Sequence, residues 1–290
     1  MPPRSAIRLL AVDLDGTLLD SRQQVSARNA AALRAAAAAG ATVALATGRR
    51  YRFALPVAQA LGVECWLIAS NGALLRHSSG AVHGRQYLPR AQAAAVMAAL
   101  AEFEAQLVVT FERQGPGELV MKALGPDEQA EAETRRRAFA GWLERNREAL
   151  SFAAPLARCL TEDPVQLMYG GTPAEIAAIG AKLAAATTTG EITCHRTVYP
   201  ARQLAILDVL AAGVSKGAAL ARLAAALGVA RAAVMAVGDN YNDFEMLEFA
   251  GVAAVVGNAH AELRRAGWLV AADHDHDGVA DALAQAGVAC

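Results

Sequence analysis

The sequence predicts an α/β fold: a Rossmann-like core built on a parallel sheet, with an α+β domain inserted into the middle of the chain. Near both ends of the 290-residue chain, short and continuously apolar segments alternate with helical segments, which is the pattern of βαβ units. Alanine-rich stretches such as NAAALRAAAAAG are typical of helices packed closely on a sheet, because alanine favours helix and takes little room. The middle of the chain instead combines hairpin-like strand pairs with helices, which indicates an α+β module.

The N-terminal elements alternate between strand and helix. The apolar segment Ile7–Val12 predicts the first strand, and Ser26 is suited to cap an alanine-rich helix that Gly40 ends. The elements that follow are a strand within Ala41–Gly48, a helix near Arg50–Leu61 and a strand within Cys65–Gly72. We expect these strands to lie parallel, with helices on both faces of the sheet.

The middle of the chain, residues 85–210, is expected to form the inserted domain. Its predicted helices lie near Arg90–Glu104, Glu128–Ala149 and Pro173–Ala186. Its predicted strands lie near Gln106–Glu112, Glu118–Lys122, Val165–Tyr169, Glu191–His195 and Gln203–Val209. The segments RHSSGAVHG and LAAGVSKG, which lead into and out of this region, contain small residues and are expected to be connectors.

The C-terminal part returns to the α/β pattern. Its predicted elements are a helix at Lys216–Leu227, a strand at AVMAVGD, a helix at Asp243–Ala250 and strands at VAAVVGN and GWLVAA. The simplest arrangement is one domain built from residues 1–84 and 211–290, with 85–210 inserted between its halves.

Composition excludes several classes of partner. Lys and Arg total 27 against 28 for Asp and Glu, so the net charge of the protein does not favour binding to nucleic acid or to an anionic membrane. No charge-free apolar stretch reaches the roughly 18 residues that a membrane span needs, and the N-terminus is not a signal peptide. The four cysteines show no paired spacing and are expected to be thiols in a reducing compartment. We therefore expect a cytoplasmic protein.

Polar residues follow each predicted strand of the core. Asp13 and Asp15 come directly after the first strand, although like charges repel and carboxylates are rarely buried unless something pairs them. Ligands bind at the carboxyl ends of the strands in such a sheet, so the polar groups there should converge. The other residues at these ends are Thr17, Thr47, Gly48, Arg49, Ser70, Asn71, Asp239, Asn240, Asn242 and Asp243, and Lys216 opens the helix before the late strand. A positively charged group is therefore expected between the carboxylates.

The order DLDGT, ATGR, VSKG and GDNYND resembles the four motifs of the haloacid dehalogenase superfamily of phosphatases. SNGA, GDNYNDFEML and the closing GNAHAELRRAG and DHDGVADAL are similar to its Cof-type subfamily, class IIB, which carries an inserted C2-type cap. The resemblance covers about Ile7–Gly84 and Val214–Leu283, whereas the middle of the chain matches only in its length and in its mix of helices and strands.

The resemblance implies an Mg²⁺-dependent phosphatase that hydrolyses a small phosphorylated metabolite, a sugar phosphate or a cofactor-type phosphate, through an aspartyl-phosphate. It makes Asp13 the nucleophile and Asp15 the general acid and base, with Lys216 as the third catalytic group. Side chains two apart on an extended chain share a side, which suits this pair. We expect a monomer or a weak homodimer.

The positive charge is then Mg²⁺, a cation that prefers oxygen ligands. The resemblance implies Asp13, the backbone carbonyl of Asp15 and Asp239 as its ligands, with Asp243 supporting them. It assigns phosphate binding to Leu14, Thr47, Gly48, Lys216 and Asn242. A phosphotransferase or phosphomutase using the same residues remains the alternative. The segment DHDHDG opens like a calcium loop, but its twelfth position is Ala284 rather than Glu, so calcium binding is not expected.

Overall fold

The computed structural model describes residues 7–139, 141–188, 190–199 and 202–288. The strands are β1 (Leu9–Asp13), β2 (Thr42–Ala46), β3 (Cys65–Ala69), β4 (Leu74–His77), β5 (Val82–Arg85), β6 (Leu107–Thr110), β7 (Leu119–Lys122), β8 (Leu150–Ala153), β9 (Gln166–Gly171), β10 (Ile192–Tyr199), β11 (Leu204–Ala211), β12 (Val234–Gly238), β13 (Val252–Val255) and β14 (Leu269–Val270). The helices are α1 (Ala27–Ala38), α2 (Tyr51–Leu61), α3 (Arg90–Ala99), α4 (Gln129–Ala138), α5 (Trp142–Arg145), α6 (Pro173–Ala186), α7 (Lys216–Ala226), α8 (Phe244–Phe249) and α9 (Gly278–Ala286).

The chain separates into two compact units. The core unit consists of Met1–Arg85 together with Val214–Cys290, and the inserted unit consists of Gln86–Gly213. Each unit has its own sheet and its own apolar clusters.

The sheet of the core unit has the strand order β14-β13-β12-β1-β2-β3-β4-β5. The strands from β14 to β3 pair in parallel, so the predicted α/β class with a parallel core is confirmed. Neighbouring residues on β1 point to opposite faces: Leu10 and Val12 pack in one cluster, Leu9 and Ala11 in the other. Helices α1, α2 and α9 cover the first face, and α7 and α8 cover the second.

The segment RHSSGAVHG, expected to be a connector, instead forms most of a β-hairpin. Strand β4 pairs antiparallel with β3, and β5 pairs antiparallel with β4. The hairpin closes because Gly80 takes a left-handed φ of 96° and the amide of His77 donates to the carbonyl of Ala81 at 2.8 Å. Buried Leu74 and Leu75 hold β4 against the core. The interpretation as a linker was wrong because these leucines lie just before the polar stretch.

The inserted unit contains a sheet of order β10-β11-β9-β6-β7-β8. Helices α3 and α6 pack on one face, and α4 with α5 on the other. The helix expected over Glu128–Ala149 is wrong: α4 ends at Ala138, and the short α5 follows Gly141, whose φ of 70° is incompatible with a continuous right-handed helix. Strand β8, which the sequence did not predict, then pairs in parallel with β7.

Within the described part of the chain, every helix is too short or too polar to cross a lipid bilayer.

Candidate active site

Four strand ends meet at one edge of the core sheet. Strands β12, β1, β2 and β3 are adjacent and parallel, so their carboxyl ends lie side by side. The predicted site residues follow these ends, except Lys216, which is the first residue of α7. Most of them are therefore brought to one edge by the topology of the sheet.

A group of buried carboxylates lies at this edge. One carboxylate oxygen each from Asp13, Asp239 and Asp243 lies within 4.8 Å of the other two. The Nζ of Lys216 donates to Oδ1 of Asp13 and to Oδ1 of Asp243, both at 2.6 Å. All four side chains are buried. Three carboxylates thus share a single ammonium group, which leaves an excess of negative charge when all of them are ionised.

The pKa values reflect this excess. Burial, followed by repulsion from Asp243, raises the pKa of Asp13 to about 7. Burial, with repulsion from Asp13 and Asp243, also raises the pKa of Asp239 well above its ordinary value. Burial alone would lower the pKa of Lys216, but the attraction of Asp13 and Asp243 outweighs it and raises that pKa. Lys216 therefore stays charged, while the carboxylates lack sufficient positive charge.

Both carboxylate oxygens of Asp243 already accept hydrogen bonds from donors within the chain. Its Oδ1 accepts from Lys216, and its Oδ2 accepts from the amides of Asp239 at 3.0 Å and Asn240 at 3.1 Å. Gly238 makes this approach possible, because a Cβ there would lie 2.7 Å from Cγ of Asp243. Asp243 thus orders the loop that carries Asp239 and leaves the more accessible oxygens to Asp13 and Asp239.

The turn after β1 holds the third carboxylate in place. Gly16 has a φ of 85°, and a Cβ on it would lie 2.6 Å from Oδ2 of Asp239. The hydroxyl of Thr17, which is fully buried, donates to Oδ1 of Asp239 at 2.9 Å. The sequence placed Thr17 at this strand end without giving it a role; the structure shows that it orients Asp239.

Asp15 lies outside the carboxylate group and binds Arg49. Nε of Arg49 donates to Oδ2 of Asp15 at 2.7 Å, and Nη2 donates to Oδ1 at 2.5 Å. Both side chains remain about a quarter exposed. Arg49 also donates to the side-chain oxygen of Gln23. The sequence placed Arg49 after the second strand without giving it a role; its fork-shaped pairing with Asp15 places it beside the site.

The residues predicted to bind phosphate lie on neighbouring loops. Thr47 is fully buried, and its Oγ1 accepts from the amide of Arg49 at 3.0 Å. The side chain of Asn242 donates to Oδ1 of Asn71 at 3.0 Å, and that of Asn71 lies against Gly48. Leu14 is buried after β1, and its carbonyl accepts from the amides of Leu18 and Leu19. The structure thus gives the positions of these residues, and their binding of phosphate stays a prediction.

The family model of the haloacid dehalogenase-like hydrolases matches residues 10–283. This range spans both halves of the core unit and the whole inserted unit. The chain belongs to this family. The resemblance seen in the motifs DLDGT, ATGR, VSKG and GDNYND is thereby confirmed.

Several curated relatives of this hydrolase are named phosphatases. Phosphatase YwpJ of Bacillus subtilis is 28% identical over 283 residues, which cover 94% of this chain and 98% of that protein. The HMP-PP phosphatase of Cronobacter sakazakii is 30% identical over 256 residues, covering 88% of this chain and 86% of its own length. The expected enzyme class, a hydrolase of the phosphatase type, is confirmed by the family and these relatives.

The fold of the hydrolase matches solved structures. A phosphatase of the same superfamily from Bacteroides thetaiotaomicron superposes with a TM-score of 0.78 at 24% identity, covering 99% of this chain and 98% of that one. At this identity the likeness concerns the fold alone. It supports the arrangement of a parallel core with a second sheet.

The donor set of the hydrolase fits a hard divalent cation. Among the described residues, Asp13, Asp239 and Asp243 supply oxygen atoms close enough to share one ion. Burial, together with repulsion between the carboxylates, raises the pKa values of Asp13 and Asp239, and a bound cation would offset both effects. Histidine and cysteine are absent from this group, which favours an oxygen-seeking ion over a soft metal.

Proposed function

We propose that this hydrolase is an Mg²⁺-dependent phosphatase that acts through an aspartyl-phosphate on Asp13. The observation that carries the proposal is the buried carboxylate of Asp13 at the end of β1, held at 2.6 Å by Lys216 beside two further carboxylates. A nucleophile needs a defined orientation, and the ammonium group of Lys216 supplies it.

The proposed metal ligands are the side chains of Asp13 and Asp239 and the backbone carbonyl of Asp15. When bound, the cation neutralises charge on the phosphoryl group and on the nucleophile. Asp243 contributes indirectly, because its hydrogen bonds to the amides of Asp239 and Asn240 order the loop. Thr17 fixes the rotamer of Asp239 through its hydroxyl.

In the first half-reaction, a carboxylate oxygen of Asp13 attacks phosphorus and the ester P–O bond breaks. Protonated Asp15 gives its proton to the leaving alcohol oxygen. In the second half-reaction, water attacks the phosphorus of the aspartyl-phosphate while Asp15 takes up a proton, so that inorganic phosphate leaves and Asp13 is restored. The pair between Arg49 and Asp15 must loosen when Asp15 carries the proton, because a protonated carboxyl no longer pairs with both guanidinium donors.

We propose that Thr47, Gly48 and Asn242 bind the phosphoryl oxygens. Leu14, in the loop after β1, is proposed to bind them as well. Lys216 offsets part of their charge, since it stays protonated between its two carboxylates. Electrostatic stabilisation by such preset donors is the main contribution of a protein to phosphoryl transfer.

The proposed substrate class is a small phosphorylated metabolite, either a sugar phosphate or a cofactor-type phosphate. Support comes from the names of relatives: an HMP-PP phosphatase at 30% identity and a 5-amino-6-(5-phospho-D-ribitylamino)uracil phosphatase of Bacillus subtilis at 24%. We propose that the inserted unit selects among such substrates. A cytoplasmic location remains the prediction from the cysteines.

The test is a screen of phosphate esters that measures release of inorganic phosphate. Wild-type protein is expected to hydrolyse members of the proposed class with Mg²⁺, to lose turnover in chelator and to regain less of it with Ca²⁺, whose larger and looser shell misaligns the attack. Asp13→Asn should abolish turnover while the protein stays folded, and a phosphate adduct should be detectable by mass spectrometry on wild type alone. Asp127→Asn, the same change at an exposed site, is the control. Full activity in chelator, or in Asp13→Asn, would contradict the proposal; phosphate transfer to an added alcohol without release would identify a phosphotransferase.

A further inference from the structure

The turn that follows β3 has an unusual backbone. Ser70, Asn71 and Gly72 are consecutive and take φ values of 48°, 53° and 100°. Two of them carry side chains in the left-handed region, where Asn is tolerated and Ser is rare. All three are buried. Such backbone strain persists only where the surroundings hold it in place, and it is concentrated at functional sites.

Backbone contacts tie this turn to the loop after β2. The amide of Ser70 donates to the carbonyl of Arg49 at 2.9 Å, and the amide of Asn71 donates to the carbonyl of Thr47 at 3.0 Å. The left-handed conformation turns these two amides toward the loop that contains Gly48. The position of Thr47 and Gly48 therefore depends on the shape of the turn.

The side chain of Asn71 reaches a second loop. Its Oδ1 accepts from Nδ2 of Asn242 at 3.0 Å, between residues far apart in sequence. A Cβ on Gly48 would lie 3.4 Å from the same oxygen, so Asn71 fills the space between the two loops. Asn71 is fully buried, which makes each of these contacts sensitive to a small displacement.

The last residue of the turn contacts a third element. A Cβ on Gly72 would lie 2.2 Å from the carbonyl oxygen of Ser215, which no side chain allows. Ser215 caps α7 by accepting from the amide of Ala218, and Lys216 is the first residue of that helix. The turn thus packs against the start of the helix that carries the ammonium group.

We propose that Asn71 is a positioning residue of the phosphate site. It orients the amide group of Asn242 and, through its left-handed backbone, the loop of Thr47 and Gly48. The inference rests on the proposed function, in which Asn242 and that loop bind the phosphoryl oxygens. Asn71 itself is assigned no contact with the substrate.

The test compares three substitutions by kcat and KM for p-nitrophenyl phosphate, by inhibition by inorganic phosphate and by thermal unfolding. Asn71→Gly keeps the left-handed backbone and removes the side chain, whereas Asn71→Ala removes both. Asn71→Gly should raise KM and the inhibition constant of phosphate about tenfold, the size of one lost buried hydrogen bond, with kcat within about threefold of wild type. Asn71→Ala should weaken phosphate binding further. A merely structural role would lower kcat at unchanged KM and inhibition constant, and this result would overturn the proposal.

The third substitution provides a second test, and a fourth variant serves as the control. Asn71→Asp is nearly isosteric and tolerates the left-handed region, but it places a negative charge against Asn242 and Gly48, which we propose to bind phosphate, so it should weaken phosphate binding more than Asn71→Gly does. Unchanged inhibition by phosphate in Asn71→Asp would contradict the proposal even if Asn71→Gly failed to fold. Gln203→Gly is the control, since Gln203 has a left-handed φ of 49° in the inserted unit, and it should leave the phosphate constants unchanged.

A double-mutant cycle tests whether Asn71 acts through Asn242. In an Asn242→Ala background, Asn71→Gly should weaken phosphate binding less than twofold further, because the group it orients is gone. Additive losses of about tenfold each would show that the two residues act independently and would overturn the inference. The proposed function itself fails on different results: no phosphate release by wild type, or full turnover in Asp13→Asn.

Discussion

The charge on Asp13 depends on what surrounds it. The side chain is buried, lies near two other carboxylates and has one cationic partner, Lys216, at 2.6 Å. Its pKa is raised to about 7 from the ordinary value of 3.8. In the absence of metal, the folded state therefore disfavours the ionised form of Asp13, because its carboxylate is buried beside two others with no bound cation.

This shift predicts how the stability of the metal-free protein changes with pH. A carboxyl whose folded pKa is raised binds more protons in the folded state between about pH 4 and pH 7, so its contribution to the free energy of unfolding falls as pH rises through that window. Asp13→Asn removes this contribution. In chelator we expect the variant to melt several degrees above wild type at pH 7.5, and the difference to shrink toward pH 4.

Thermal unfolding of both proteins across this range, with and without Mg²⁺, checks the prediction. Added Mg²⁺ should raise the melting temperature of wild type more than that of Asp13→Asn, because the ion binds the folded carboxylates. A difference in melting temperature that grows toward pH 4 would contradict the assigned sign.

Helices α7 and α8 touch at a glycine. A Cβ on Gly217, near the start of α7, would lie 2.6 Å from the backbone carbon of Glu245 in α8. Gly180, in the interior of α6, has nothing within 4 Å of the same position. The two glycines therefore lie in the same kind of element and differ in what surrounds them.

Alanine should have opposite effects at these two positions. Gly180→Ala should raise the free energy of unfolding by about 0.5–1 kcal/mol, since alanine favours helix and meets open space. Gly217→Ala should lower it by about 1–3 kcal/mol, because the backbone of α8 has to move. Gly217→Ala should also reduce turnover, since α7 begins with Lys216.

Urea denaturation of the two variants, together with kcat for p-nitrophenyl phosphate, measures both effects. Gly180→Ala serves as the control for activity, which it should leave unchanged. Equal stabilisation by both alanines would contradict the close approach of α7 and α8.

We propose different roles for the two units of the molecule. Every residue assigned to the metal, the nucleophile or the phosphate lies in the core unit. The inserted unit has its own sheet with a buried polar pair, in which Nε2 of Gln166 donates to Oδ1 of Asp208 at 3.0 Å. A phosphate held by the core alone leaves the organic part of the substrate unrecognised, so we propose that the inserted unit selects the substrate.

Substitutions of polar residues in the inserted unit are therefore expected to reorder substrates. Among substitutions of polar residues across the inserted unit, those that contact the substrate should change the ratio of kcat/KM between two natural phosphate esters by tens of fold and change kcat/KM for p-nitrophenyl phosphate much less. Because a ratio between substrates is independent of the folded fraction, a loss of stability does not mimic the effect. If no such substitution changes the ranking while substitutions near Asn71 or Tyr241 in the core unit reorder it, selection lies in the core unit.

Much of the core could be predicted from the sequence alone. The apolar segments around Ala11 and Ala236 indicate buried parallel strands, and the acids directly after them predict a site at one sheet edge. These features are local: a pattern of side chains over a few residues determines the strand, and the next residue lies at its end. The same holds for Ser26, which caps α1 as expected.

Tertiary structure decided the contacts between distant segments. Thr17 meets Asp239 across 222 positions, and Asn71 meets Asn242 across 171, so no local pattern reveals either pair. The hairpin of β4 and β5 forms because β3 offers an edge to pair with, and α4 ends before Gly141 because the chain turns there to form α5 and β8. Local pattern determined which residues reach the edge of the sheet; packing between distant segments decided how they are held, since hydrogen bonds and close contacts depend on positions that only the folded chain defines.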